Sequence, residues 1–375
     1  MTTVILTLAV LATLTSVTSA QTTACKPDDN CNPPNCRCWN DEAIPGGIPV
    51  EDTPQTVLIS FEYAINEVNI EQYQAIFQGT TNPNSCQAVG TFFVQETGTQ
   101  MDKVKDLYDA GHEIGVTSPD GTSPKTEEEW ATSLQQMRAA VAASGIPAAD
   151  VVGVRAPELK PGGESEFSAL DQQDFLYDAS CTTSSMTENR VGAITLPCGT
   201  PISRVCSSDR EAPTLTEILL SARNACTNWF DGDSSELVWP YTYDFAPGPE
   251  CDYGEGPETA FPGRWQFLVA DLAFNGTKCA TPQACIDVAT ERDAFDMLYN
   301  SFIKHYEGTK SPFLIVINPD WALTPFKLEG TRQFVEYIRS AFEDTWILSM
   351  RQALDWVRNP VTNADATSGY SPWAC

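Results

Sequence analysis

Short apolar runs alternate along the chain with segments of helical periodicity. The runs are rich in β-branched residues and bounded by turn residues, which predicts buried β-strands at 57–60, 91–94, 114–116, 151–154, 313–317 and 346–348. Strands that alternate with helices are expected to be parallel and covered by the helices. In a chain of 375 residues this pattern favours one α/β barrel over two separate sheets. Active sites of such barrels lie where the strands end, so the residues after each strand are the candidates for chemistry.

Two helices are clear from the sequence. The first is predicted at 124–144, with Ser123 as its N-cap and Pro124 at its first position. Four apolar side chains at helical spacing form one stripe that should face the core: Trp130, Leu134, Met137 and Val141. The second helix is predicted at 101–110 and leads directly towards the strand at 114–116.

The charge balance excludes two classes of partner. The chain has 22 Lys and Arg residues against 50 Asp and Glu residues, which gives a formal net charge of −28. A protein this acidic repels phosphate backbones and anionic lipid head groups, so we expect no nucleic-acid partner and no membrane partner. The only histidines are His112 and His305, which limits any mechanism that needs imidazole ligands or bases.

The N-terminal region and the cysteines predict a secreted, extracellular protein. Residues 1–20 contain an apolar run followed by small residues, as in a secretory signal peptide, and the run is shorter than the ~20 residues of a membrane anchor. Thirteen cysteines in an exported chain predict a disulfide framework, and their odd number leaves at least one thiol free or paired between chains. The segment 275–277 is an acceptor for N-glycosylation, which suits an exposed loop.

These signals divide the chain into four regions. We expect a signal peptide at 1–20, a cysteine-rich segment at 21–50, the barrel at 51–360 and a C-terminal tail at 361–375. Within the barrel, residues 181–285 are rich in Cys, Gly and Pro and have few periodic stretches. This part is predicted to form long loops tied by disulfides rather than a separate domain.

Five segments at the predicted strand ends resemble the motifs of a known enzyme family. They lie at 60–64, 111–121, 155–159, 239–241 and 317–321, and together they resemble the motifs of the polysaccharide deacetylases of carbohydrate esterase family four. Further segments resemble the insect chitin deacetylase group; they lie at 31–38, 44–47, 82–86, 161–163 and 175–180. The resemblance implies a distorted (β/α) barrel of the polysaccharide deacetylase type with long disulfide-tied loops.

The resemblance also implies a metal site, and this chain departs from it at every ligand. In the family, one aspartate and two histidines hold zinc, which polarises the acetamide carbonyl and a water. The matching positions here are Tyr63, Thr117 and Gly121. A phenol with a pKa near 10 is a poor zinc ligand, and neither threonine nor glycine replaces an imidazole. No intact metal site and no cofactor are therefore expected.

The catalytic positions of the family are altered as well. Glu62 stands at the position of the base, where its extra methylene displaces the carboxylate by about a bond length. Asn318 stands at the position of the general acid, and an amide cannot release a proton at neutral pH. Arg155 matches the arginine that orients the base, although a purely structural ion pair with Glu62 is an equally open interpretation.

The resemblance also covers the aromatic residues of the family's sugar-binding groove. Trp239, Tyr241 and Trp321 match the aromatic lining of the family's groove, where rings stack on the C–H faces of pyranoses. The alternative is that the two tryptophans are core residues. We interpret His112 as a buried residue with a structural hydrogen bond, and His305 as a surface residue or a neighbour of the site.

The sequence leaves three functional hypotheses. The first is a catalytically inactive, secreted protein that binds chitin or another glycan containing N-acetylglucosamine. The second is an active zinc-dependent deacetylase with an unusual site, for example Glu62 with Asp120 or Asp320. The third is an extracellular protein-interaction module whose groove is unused. The missing ligands favour the first hypothesis and argue against an enzyme.

Overall fold

The structure is a computed structural model that describes residue 31 and residues 33–182 and 237–375. The predicted signal peptide, residues 21–30 and 32 of the predicted cysteine-rich segment, and residues 183–236 of the predicted insertion lie outside the described residues. In the described ranges, no helix is both long enough and apolar enough to cross a membrane.

The fold is built on one large, mostly parallel sheet. Its first five strands run side by side in chain order: β1 (Gln55–Tyr63), β2 (Thr91–Val94), β3 (Glu113–Val116), β4 (Gly153–Val154) and β5 (Tyr177–Asp178). Two later strands extend the sheet beyond β5, with β7 parallel to β5 and β6 antiparallel to β7: β6 (Tyr241–Tyr243) and β7 (Phe261–Gln266). A separate hairpin consists of β8 (Leu272–Phe274) and β9 (Thr277–Cys279).

The central strand is β1, which pairs with three neighbours. Two strands from the end of the chain flank it in parallel: β10 (Phe313–Ile317) and β11 (Thr345–Leu348). The first half of β1 pairs with β11, and its second half pairs with β2. Because eight consecutive residues of β1 are buried, the strand lies inside the core along almost its whole length.

Helices cover this sheet, as the alternating pattern predicts. The described helices are α1 (Ile70–Phe77), α2 (Met101–Asp109), α3 (Glu127–Ala143), α4 (Gly163–Gln172), α5 (Glu291–Glu307), α6 (Pro319–Ala322), α7 (Pro325–Ala341), α8 (Met350–Arg358) and α9 (Asn363–Gly369). The predicted fold class, an α/β distorted barrel with disulfide-tied loops, is confirmed. The sheet curls into a half-barrel, and the described strands run from β10 to β6 without closing into a ring.

The predicted helix at 124–144 begins three residues later than expected. Its N-cap is Thr126 rather than Ser123, because the Thr126 hydroxyl accepts a hydrogen bond from the backbone N–H of Glu129 at 3.2 Å. The predicted core stripe is confirmed, since all four of its side chains are buried: Trp130, Leu134, Met137 and Val141.

The C-terminal segment is part of the folded body rather than a free tail. Trp373 is buried, and its ring lies 4.6 Å from that of Trp346 between centroids. A disulfide joins Cys375 to Cys86 across 289 residues of sequence. Every cysteine among the described residues is disulfide-bonded, and the other described pairs are Cys31–Cys38, Cys181–Cys251 and Cys279–Cys285.

Candidate functional site

A cavity of about 380 Å³ lies at the carboxyl ends of the central strands. Strand β1 contributes its last two residues, the loop after β4 contributes two, and the residue after β10 closes one side. The other wall comes from the predicted insertion. The lining residues are Glu62, Tyr63, Glu158, Leu159, Tyr253, Thr281, Gln283, Ala284 and Asn318.

Glu62 is the most buried carboxyl group of this cavity. Its side chain is 7% exposed, and within the described part of the chain it has no hydrogen bond and no ion pair. Burial raises the pKa of Glu62, and the positive charge of Arg155 opposes that shift. The predicted base is therefore present at the cavity, but its carboxyl has no directly bonded partner to orient it.

Arg155 lies beside this carboxyl and uses its hydrogen bonds elsewhere. Its Nε donates to the carbonyl of Ala179 at 2.9 Å, and its Nη1 donates to the Ser60 hydroxyl at 2.8 Å. Its guanidinium carbon also lies 4.3 Å from the ring centroid of Phe93. Among the described residues no ion pair within 4.0 Å joins Arg155 to Glu62. Arg155 therefore affects Glu62 through longer-range electrostatics and not through a direct ion pair.

Tyr63 ends β1 in a conformation that is unusual for its residue type. Its φ is 79°, in the left-handed region that favours glycine. Burial, followed by the negative charges of Glu62 and Glu158, raises the pKa of Tyr63 to about 12. The phenol consequently stays protonated at neutral pH, in which form it is a poor metal ligand.

The residues at this site do not fit zinc. Thr117 is buried directly after β3, and Gly121 has a φ of 77° in the turn that follows. Asp120 is exposed, and its carboxylate accepts hydrogen bonds from the N–H and the hydroxyl of Thr122 at 3.0 and 2.7 Å. In the part of the chain that the structure describes, no three His, Cys, Asp or Glu side chains are grouped so that they could hold a metal ion.

Asn318 has a structural role that its position in the motif does not reveal. Its side-chain oxygen accepts a hydrogen bond from the backbone N–H of Trp321 at 2.9 Å, which makes Asn318 the N-cap of α6. The same residue lines the cavity. An amide at this position can stabilise the helix and bind a ligand, but it cannot protonate a leaving group.

The predicted aromatic lining requires a correction. Trp239, Tyr241 and Trp321 are at most 1% exposed and lie in the core. Trp239 stacks on Trp356 with ring centroids 5.5 Å apart, and the indole N–H of Trp321 donates to the Thr331 hydroxyl at 3.0 Å. These large apolar rings gain more by packing between elements than by lining a groove, so the core interpretation is correct.

Two tyrosines lie where the tryptophans were expected. Tyr63 and Tyr253 both line the cavity and are half-buried. Tyr253 follows Cys251, whose disulfide to Cys181 attaches this segment beyond the end of β5. Three further lining residues lie in the loop closed by the disulfide Cys279–Cys285: Thr281, Gln283 and Ala284. The nearby cysteines are the only sequence signal that could have indicated these positions.

The two histidines differ in how well they were predicted. The interpretation of His112 is confirmed: it is buried, and its Nδ1 accepts a hydrogen bond from the backbone N–H of Gly90 at 3.0 Å. The expectation of a surface position for His305 is wrong. That side chain is 3% exposed, and its Nδ1 lies 3.1 Å from the carbonyl oxygen of Ser311.

Comparisons with known proteins agree with the resemblance in the sequence. No protein-family model matches the chain. The chain is 30% identical to chitin deacetylase 1 of Bombyx mori over 355 residues, which is 92% of this chain and 58% of that protein. It is 26% identical to chitin deacetylase 8 of the same species over 349 residues, or 89% of this chain and 78% of that protein. The chain thus spans little more than half the length of the first relative.

The fold has a counterpart among solved structures. A probable polysaccharide deacetylase from Pseudomonas aeruginosa PAO1 matches it with a TM-score of 0.50 and 12% identity, over 84% of this chain and 96% of that one. The chain is therefore similar in sequence to insect chitin deacetylases, and its fold is similar to that of a probable polysaccharide deacetylase.

Proposed function

We propose that this chain is a secreted, chitin deacetylase-like protein that binds chitin or a related N-acetylglucosamine glycan without deacetylating it. One observation carries the proposal. At the ends of β1 and β10, where the family has its site, the chain has a cavity with two tyrosines and several polar groups, and the residues described there include no set of metal ligands.

The chemistry of the lining residues argues against amide hydrolysis. Hydrolysis in this family needs an ion to polarise the carbonyl, a base to take a proton from water and an acid to protonate the amine. Tyr63 remains a neutral phenol, and Asn318 has no proton to give. Two independent steps are therefore impaired even if Glu62 still acts as a base.

The same residues suit a sugar ligand. Half-buried tyrosine rings offer faces for pyranose C–H groups, while Thr281, Gln283 and Asn318 offer hydroxyl and amide groups for sugar hydroxyls. A volume of about 380 Å³ lies within the range of about 300–1,000 Å³ that is typical of small-ligand sites. Such a cavity is large enough for a sugar residue within a longer chain.

Disulfides and an exposed acceptor site support secretion. The described cysteines are all paired, which requires an oxidising compartment. Asn275 is exposed in the turn between β8 and β9, where its side chain is accessible to an N-linked glycan. Expression in insect cells tests this part: we expect the protein in the medium, with a mass that falls after treatment with an N-glycosidase.

Binding, metal content and activity should be measured on the same preparation. We expect substoichiometric zinc after dialysis, no acetate release from chitin oligomers, and weak retention on a chitin matrix. Tyr63→Ala should weaken binding by about 1 kcal/mol or more, whereas Tyr63→Phe keeps the ring and should retain most of it. Tyr108→Ala is a matched control, since Tyr108 lies on α2 and bonds to Asp150.

Two results would contradict the proposal in different ways. One tightly bound divalent ion per chain together with acetate release would establish an active deacetylase. A folded protein that binds no chitin oligomer at all would favour a protein partner instead.

A further inference from the structure

The cavity is lined by acidic side chains, which a neutral, fully acetylated sugar cannot pair with a positive charge. Glu62 and Glu158 both line it, and the described residues that line it include no Lys or Arg, although the buried Arg155 lies near Glu62. Lys160 lies outside the lining, with its Nζ 5.6 Å from the ring centroid of Tyr253. The exposed Asp320 lies close enough to Tyr63 to affect its titration. The surface facing a ligand is therefore acidic.

Glu62 provides a second, independent observation. Its carboxyl faces the cavity, is 93% buried as a residue, and makes no hydrogen bond or ion pair with any described residue. A buried carboxyl group without a partner is unfavourable, and a donor that also carries positive charge satisfies it best. Arg155 lies near Glu62 but makes neither a hydrogen bond nor an ion pair with it, and the Glu62 oxygens are not among the fully buried atoms, so they remain accessible to a donor on a ligand.

An ammonium group fits this requirement better than a metal ion does. A divalent cation needs several oxygen ligands at fixed short distances, and no group of three suitable side chains occurs among the described residues. An ammonium group needs up to three acceptors and tolerates varied geometry. A sugar that carries an amine can place its ring on Tyr63 and its charge towards Glu62.

Building on the proposed function, we propose that the cavity prefers sugars with a free amino group, the glucosamine units of partly deacetylated chitin, over N-acetylglucosamine units. The protein then recognises the product of the amide hydrolysis that active deacetylases perform. Converting the acetamide to an amine replaces a neutral N–H donor by a positively charged one. A carboxylate without a hydrogen-bond partner should bind the charged donor more tightly.

The test compares two disaccharides of equal length by calorimetry: the dimer of glucosamine and the dimer of N-acetylglucosamine. Disaccharides are chosen because a long polyamine would bind any chain with a charge of −28. At a pH at which the amine is protonated, we expect the amine dimer to bind about tenfold more tightly, as for one charged hydrogen bond.

Three variants assign the preference to its residues. Glu62→Gln should reduce the affinity ratio of the two dimers to near one, and Glu158→Gln should lower it by a smaller factor. Glu158 is exposed, so its variant should fold even if Glu62→Gln does not. Glu51→Gln removes the same charge from an exposed residue just before the opposite end of β1, and should leave the ratio unchanged.

The possible results separate this inference from the proposed function. Equal or tighter binding of the acetylated dimer overturns the preference and leaves the proposed glycan binding intact. A preference that survives both cavity variants, or that Glu51→Gln also abolishes, overturns it in favour of general charge attraction. If neither dimer nor longer oligomers of either sugar bind, the proposed function itself fails.

Discussion

Three of the eight described non-glycine residues with positive φ lie at the cavity. Tyr63, Glu158 and Leu159 all have positive φ, at 79°, 60° and 54°, and all three line the cavity. A non-glycine residue in this region costs about 1–2 kcal/mol, so such residues persist only where the surroundings hold them. The surrounding structure therefore fixes the backbone at these three positions of the cavity.

A substitution at Trp321 tests whether its ring serves the core or a sugar. Trp321→Phe removes the hydrogen bond to Thr331 and leaves a small void, so we expect the free energy of unfolding to fall by about 1–3 kcal/mol. Thr331→Val keeps the indole ring and removes this hydrogen bond together with the one that the Thr331 hydroxyl donates to the carbonyl of Lys327, so it should cost about 1–2 kcal/mol. Denaturant unfolding and retention on chitin are the measurements. Weaker retention at unchanged stability would restore the sugar-stacking role for this ring.

The two buried histidines give the protein an acid-sensitive stability. Burial lowers the pKa of both His112 and His305 to about 4, against about 6.5 in an unfolded chain. Between these values the unfolded chain binds protons that the folded protein cannot. Stability is therefore complete above about pH 6.5 and is lost as the pH falls towards 4, by up to about 1.4 kcal/mol per pH unit for each histidine.

Buried carboxyl groups change stability with pH in the direction opposite to that of the histidines. The effect of the histidines must therefore be measured as the difference in unfolding free energy between a histidine variant and the unmodified protein. Burial raises the pKa of Glu62 and Glu113, and their contribution is lost as the pH rises through those raised values. We expect the double variant His112→Gln/His305→Gln to be less stable than the unmodified protein at pH 7, but to lose less stability on acidification. If the double variant and the unmodified protein lose the same unfolding free energy on acidification, the imidazoles do not titrate as inferred.

Among the elements, β1 fixes the position of one wall of the cavity. It pairs with β2, β10 and β11, so its end cannot move without disturbing three strands. Glu62 and Tyr63 are thereby fixed at the base of the cavity. The opposite wall depends on disulfides, since the segments that contain Tyr253 and Thr281 have little regular structure.

The disulfide Cys86–Cys375 offers a test of how the C-terminal segment contributes. Cys86→Ser/Cys375→Ser removes the bond without leaving a free thiol, and should lower the free energy of unfolding by about 2–5 kcal/mol. Trp373 should become more accessible to quenchers, because the bond holds it against Trp346. A loss below about 1 kcal/mol would indicate that packing alone retains this segment.

Strands and helices were largely predictable from the sequence, whereas the cavity was only half predictable. The strands at 91–94 and 313–317 appear as expected because burial on both faces gives a continuous apolar run. Glu62 and Asn318 could be predicted as cavity residues because they lie at the carboxyl ends of predicted strands. Tyr253 and Gln283 could not be located, because disulfide connectivity brings them to the cavity and spacing does not specify connectivity. The burial of Trp321 depends on its packing against α7, which the motif alone does not specify.

At the scale of the whole molecule, the sheet and its loops can be tested for their ability to hold the metal ligands that the resemblance implies. Tyr63→Asp, Thr117→His and Gly121→His would rebuild the ligand set that the resemblance implies. Position 63 is the last residue of β1 and position 117 directly follows β3; these strands flank β2 in one sheet, so the spacing of the two positions is set by backbone pairing. Gly121 is different, because its φ of 77° disfavours any side chain and a Cβ there would lie 2.9 Å from Gln95 Oε1.

We therefore expect the triple variant to bind zinc at the expense of stability in its metal-free form. Without zinc it should unfold more easily by about 1–2 kcal/mol, mainly through residue 121. Zinc should reverse this loss, so that a chelator lowers the melting temperature of the variant but not that of the unmodified protein. Adding Gln95→Ala gives the new imidazole room and should increase zinc occupancy towards one ion per chain.

Acetate release should require Asn318→His as well, because ligands and general acid serve different steps. That change removes the N-cap of α6 and should cost about 1 kcal/mol, which the added zinc can offset. Metal analysis and acetate release from chitin oligomers, measured for the variants in turn, separate the two requirements. A folded variant that carries all these changes and still binds no zinc would mean that the turn after β3 has moved away from β1. In that case the fold records the family's ancestry, and the cavity serves binding alone.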